Sequence, residues 1–111
     1  MSRRSDELLV ADICEAGEKI LRYTAGMDEA GFKAHELTVD AVIRNIEIMG
    51  EAASKLSDEF KQTHAGTPFR QMTALRNRVI HGYFGVSLPI IWRVVRDDLP
   101  LLLNQFKNVR E

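Results

Sequence analysis

The sequence predicts an all-α fold, a bundle of four long helices plus short helical turns, in a single domain over residues 1–111. Three observations carry that prediction. Apolar residues recur at steps of three or four along each long segment, the spacing of one helix face. No stretch alternates apolar and polar residues long enough to make a strand, and none repeats or is of low complexity. The links between segments are short, which makes neighbouring helices mostly antiparallel.

Ser2 or Ser5 can cap a first helix that runs to about Tyr23. Leu9, Ile13, Ala16, Ile20 and Tyr23 form its inner stripe, and Asp6 and Glu7 suit the positive end of its dipole. Gly26 breaks the pattern. Asp28 to Ala34 is a short helical turn or loop with Phe32 as its anchor. The second long helix covers about Leu37 to Leu56, with Val39, Val42, Ile46, Met49 and Ala53 on its apolar face. Gly50 on that face predicts a close helix crossing, with Ala16 and Gly17 as the expected partners. Ser57 can cap another short turn, and Ala65 to Pro68 is a loop by composition. Thr67-Pro68 reads as an N-cap followed by Pro at the first helical position of a third long helix, anchored by Phe69. Ser87 caps the last helix, whose stripe is Leu88, Ile91, Trp92, Val95, Leu99, Leu103 and Phe106. Pro100 cannot donate to the carbonyl of Arg96, so this helix should kink or restart, with Asp97 or Asp98 capping the second piece.

An apolar content of 45% and a charged content of 28% are those of a soluble globular chain. No apolar run approaches a membrane span, and the start carries no secretory signal, so a cytoplasmic protein is expected. The single Cys14 excludes an internal disulfide and reads as a core filler in a reducing compartment. Net charge is only −1, but it is unevenly spread. Residues 1–57 hold seven Lys/Arg against eleven Asp/Glu, whereas residues 58–111 hold eight against five. Phe60 to Arg96 contains no acid at all, while carrying Lys61, Arg70, Arg76, Arg78, Arg93 and Arg96. An anionic ligand would be drawn to that third of the chain.

Inside it lies Arg76-Asn77-Arg78-Val79-Ile80-His81-Gly82-Tyr83, which closes the third helix. Gly82 reads as the residue that ends the helix in a left-handed turn. Asn77 and His81 are four apart and share a face, while Arg76 and His81 are five apart and differ by about 140°. One helix therefore presents the Arg–His pair obliquely, and two copies of the stretch facing each other would use it better. On the second helix a charged stripe of Asp40, Arg44, Glu47 and Glu51 runs beside the apolar one. Such a stripe is either a solvated, mutually paired face or the lining of a site, with Arg44 and Glu51 as the candidates.

No metal-ligand spacing, glycine-rich phosphate loop or nucleophile elbow is present, so neither a metal nor a cofactor is expected. What remains suits metal-free attack on an RNA phosphodiester. His81 can move a proton near neutral pH, Arg76 can stabilise charge on the phosphoryl oxygens, and the 2′-hydroxyl supplies the nucleophile. The reaction wants an acid and a base, and a dimer would bring two histidines. The plainer reading remains open: a histidine at a helix C-terminus interacts well with the dipole without doing chemistry.

The same eight residues resemble the Arg-x4-His-x-Tyr motif of the HepT-like family of HEPN-domain ribonuclease toxins. Asp40-Ala41-Val42-Ile43-Arg44 and Ile48-Met49-Gly50-Glu51-Ala52-Ala53 resemble that family's second-helix signature, and Pro68-Phe69 stands where the family usually has Pro-Trp. The resemblance covers nearly the whole chain. It implies a HEPN-like helical homodimer acting as a metal-independent endoribonuclease, the toxin of a type VII toxin–antitoxin pair. It implies a minimal nucleotidyltransferase as the antitoxin partner. By position, Arg76 and His81 become the catalytic pair, Tyr83 the acceptor of AMP and Asn77 a supporting polar group. Beside them, Arg44 and Glu51 of the charged stripe are expected as supporting polar groups and Arg78 as an RNA contact. Gly82 stands where relatives often have a polar residue. The alternative is a non-catalytic helical module that holds a nucleotide or RNA for a nucleotidyltransferase.

Overall fold

A computed structural model describes residues 4–67, 69–81 and 87–110; for residues 78–81 and 108–110 it describes the backbone alone. All regular structure among these residues is helical. The order is α1 (Asp6–Thr24), α2 (Glu29–Ala34), α3 (Glu36–Lys55), α4 (Asp58–Thr63), α5 (Phe69–His81), α6 (Leu88–Arg93), a π-helical turn (Val94–Asp98) and α7 (Leu99–Arg110). The last three run on without a break, so the four long helices of the sequence reading are present, with α2 and α4 as the short turns.

The starts of the helices follow from local chemistry. Ser5, Asp28 and Ser57 each accept a hydrogen bond from a backbone N–H three residues on, satisfying donors that a first helical turn leaves open. His35 does the same for α3: its Nδ1 accepts from the Thr38 N–H at 3.2 Å. Ser57 Oγ also donates to Asp6 at 2.6 Å while the Ser57 N–H donates to the same carboxylate at 2.9 Å. That pair fastens the start of α1 to the corner between α3 and α4. Gly26, with φ +78°, makes the turn after α1 in the left-handed region that suits glycine.

Helix α3 is central, packing against α1 on one side and α5 on the other, while α7 covers the far side of α1. The core between them includes Ile13, Cys14, Ile20, Phe32, Val42, Met49, Met72, Val95 and Phe106. Phe69 at the start of α5 meets Phe106 of α7 edge-on at 5.3 Å, and Phe32 of α2 lies 5.3 Å from Trp92 of α6.

Three expectations are corrected. Tyr23 is exposed rather than part of the inner stripe of α1, because the buried face runs on from Ile20 to Thr24, four residues later, and leaves Tyr23 to one side of it. Gly50 does not meet Ala16 or Gly17. A Cβ built on Gly50 would lie 2.0 Å from Arg76 Cβ and 3.0 Å from the Met72 carbonyl, so the close crossing is between α3 and α5, while Gly17 is packed against Leu103. Pro100 does not restart the last helix. The Leu99 N–H donates to the Val94 carbonyl, five residues back, and this wider π turn takes the chain past the missing proline donor. Arg93 and Leu99, on either side, both keep helical backbone angles, so Asp97 and Asp98 cap nothing. Ser87 stands at the N-cap of α6 but makes no side-chain cap bond. The Thr67-Pro68 start of α5 and the Gly82 stop fall partly outside the described residues, since Pro68 and residues 82–86 are not among them.

Candidate active site

The α3–α5 crossing builds the candidate site. Because Gly50 carries no side chain, the stem of Arg76 lies directly on the backbone of α3. One residue later on α3, Glu51 stands beside the Arg76 guanidinium, with Nη1 3.4 Å from Oε2. Gly50 and Glu51 thus act together, one admitting the arginine and the other facing its charge. Arg76 is 22% exposed and Glu51 48%. The Nε of Arg76 is buried and has no hydrogen-bond partner among the described residues.

These two side chains lie in an open groove of about 740 Å³ between α1, α3 and α5. Arg4, Leu9 and Asp12 line it from the first helix and the residues before it, and Arg44, Glu47, Ile48, Glu51, Ala52 and Lys55 line it from α3. Its charges are arranged in pairs. Arg4 grips Asp12 through two hydrogen bonds of 2.7 and 2.9 Å, and that contact, with the carboxylate's charge behind it, raises the Arg4 guanidinium above its ordinary value. Arg44 faces Glu47 at 3.7 Å. Glu51 is shared: Lys55 Nζ lies 3.5 Å from its other oxygen. Compared with the Arg4–Asp12 fork, the contact to Arg76 is long for a charge-assisted bond, so the guanidinium is oriented without being saturated.

Of the residues singled out in the sequence, Arg76, Glu51 and Arg44 come together along this groove. Asp40, at the head of the same stripe, does not line it. Asn77 is exposed on α5. Arg78 and His81 are on the last turns of α5, as expected, but their side chains lie outside the described residues, as does Tyr83 altogether. Lys55 and the Arg4–Asp12 fork were not singled out. Lys55 was within reach of the pattern, since it stands four residues after Glu51 and simply extends the stripe by one helical step. The fork links residues eight apart, one of them before the helix begins, and no periodic rule points to it.

Among the described residues no three His, Cys, Asp or Glu side chains converge as a metal-binding set. No helix described is long and apolar enough to cross a membrane.

Comparison with known proteins gives a consistent result. The family model described as "Ribonuclease HepT-like" matches residues 13–109. The chain is 37% identical over 109 residues to "Probable ribonuclease HepT" of Thermococcus cleftensis, covering 98% of this chain and 99% of that one. It is 31% identical over 109 residues to "Putative RNase MJ1380" of Methanocaldococcus jannaschii, covering 98% and 100%. It is also 31% identical over 97 residues to "Putative RNase TTE0752" of Caldanaerobacter subterraneus subsp. tengcongensis, covering 87% of each. No solved structure matches. With a family model spanning most of its length and full-length relatives above 30% identity, this all-α chain belongs to the HepT-like ribonuclease family.

Proposed function

We propose that the protein is a metal-independent endoribonuclease whose reaction is carried by Arg76 and His81. The observation that carries the reading is the seating of Arg76. Its stem lies against Gly50, its charge faces Glu51, and its guanidinium edges an open groove, in a chain of a ribonuclease family. Arginine held this way can stabilise charge developing on a phosphoryl group. His81, at the end of the same helix, takes the proton-transfer role, with the substrate's own 2′-hydroxyl as nucleophile. Glu51 and Arg44 act as supporting polar groups, Asn77 steadies the His81 face, and Arg78 contacts RNA.

In this reading two copies of the chain face each other at the α5 ends, so that an arginine and a histidine which one helix presents obliquely can meet across the interface. The protein is a cytoplasmic toxin of a type VII pair, its antitoxin is a minimal nucleotidyltransferase, and Tyr83 receives AMP when the toxin is silenced.

The test is cleavage of RNA by the purified protein in chelator, beside His81→Ala and Arg76→Ala. Loss of cleavage in both variants, with helical content and melting unchanged, is the expected result. Undiminished cleavage by His81→Ala would remove the assignment. Co-production with a nucleotidyltransferase should relieve growth arrest and add the mass of one or more AMP groups, lost in Tyr83→Phe.

A further inference from the structure

We infer that the groove between α1, α3 and α5 carries the RNA strand past Arg76, and that Lys55 holds a phosphate neighbouring the one Arg76 engages. The inference rests on the ribonuclease reading for the class of ligand; the residue and the track come from the groove itself.

Glu51 fixes the spacing. Lys55 Nζ and Arg76 Nη1 sit on the two oxygens of one carboxylate, at 3.5 and 3.4 Å, so the two cations lie side by side. They differ in depth. The Lys55 side chain is 61% exposed and that of Arg76 22% exposed, so an anion entering from solvent meets the lysine first. Half-exposed ion pairs are weak, so exchanging the Lys55–Glu51 contact itself for one to a phosphate costs little. The described lining holds four cations, Arg4, Arg44, Lys55 and Arg76, against the carboxylates Asp12, Glu47 and Glu51.

Seven of the ten described lining residues are charged, which suits a polyanion. Leu9 and Ala52 beneath the groove are only 3% and 5% exposed, Ile48 is half-buried, and the other lining side chains are charged. Each of these carboxylates stands by a cation of the lining. A strand of RNA exchanges those contacts for phosphates along its length and gains by counterion release.

The test separates this track from the chemistry. Binding of a short fluorescent single-stranded RNA of mixed sequence is titrated against salt, using His81→Ala protein so that nothing is cut. Adding Lys55→Ala should weaken binding roughly fivefold at low salt and flatten the log K against log salt slope by about 0.7, the share of one phosphate contact on a single strand. Lys55→Arg should restore the slope. Lys107→Ala, which also removes a lysine paired with a glutamate (Glu18, 3.7 Å) but lies outside the groove, should leave the slope alone. An unchanged slope in Lys55→Ala, or no RNA binding at all, overturns the inference. So does a variant that alters self-association in sedimentation instead of the slope, which would make the groove a surface between copies. Cleavage by the wild type against His81→Ala is read separately and judges the nuclease assignment alone.

Discussion

At the scale of residues the candidate site depends on what is missing from position 50. A methyl group there would sit 2.0 Å from Arg76 Cβ and 2.7 Å from Cγ, and the Met72 carbonyl, part of the backbone of α5, is 3.0 Å away. Alanine would favour the helix locally by about 1 kcal/mol over glycine. Forcing the crossing open should outweigh that, since overpacking costs about 1–3 kcal/mol. Gly50→Ala is therefore expected to lower the melting temperature and to reduce RNA cleavage further than the stability loss explains, because it moves the stem of Arg76. A melt and a cleavage assay on the same preparation check both. Glu51→Gln makes the complementary case, keeping the shape and removing the charge. With Glu51 half-exposed, stability should change by less than about 1 kcal/mol. Cleavage should fall about tenfold, because the guanidinium loses the partner that orients it. If Glu51→Gln cleaves as fast as wild type, Glu51 is only part of a surface charge network.

At the scale of elements the fold is held by junctions as much as by faces. The Asp6 carboxylate takes both the N–H and the hydroxyl of Ser57, tying the start of α1 to the end of α3 across 51 positions of sequence. Hydrogen bonds to a charged group contribute about 1.5–3 kcal/mol, so Asp6→Ala should lower the unfolding free energy obtained from a urea titration by an amount of that order. Gly26→Ala tests the backbone alone: nothing lies within 4 Å of the added Cβ, yet φ is +78°. A loss of about 1 kcal/mol is expected there from conformation rather than contact. The contrast between such sites explains what was legible in the sequence. Ser5 and Ser57 were readable because a cap acts within three residues of itself, and Asp28 caps α2 by the same rule without having been singled out. The apolar stripes of α1, α3 and α7 were readable because helical period alone sets them. Gly50 announced a close approach but not its partner, since which helix crosses there is decided by long-range packing. Pro100 announced an irregularity, but a one-residue widening of the helix and a fresh start have the same local signature. The sequence placed Arg76 and His81 on one helix; that Arg76 would lie on α3, beside Glu51, needed the fold.

At the scale of the whole molecule the mechanism turns on how many chains make one site. Arg76 faces a groove built from three elements of its own chain, and the carboxylate beside it, Glu51, also belongs to that chain. His81 is five residues further along α5, turned by about 140° on an ideal helix. If each site combines the arginine of one copy with the histidine of the other, two inactive variants should complement. In an equimolar mixture of Arg76→Ala and His81→Ala subunits, half of the dimers are mixed. Each mixed dimer carries one site with both groups intact and one with neither, by the symmetry of an isologous pair. Cleavage should then recover to about a quarter of the wild-type level once the subunits have exchanged. Should each site draw both groups from a single chain, every site in the mixture lacks one of them and no activity returns. Recovery on mixing, absent from either variant alone and lost on dilution below the dimer range, is the expected outcome.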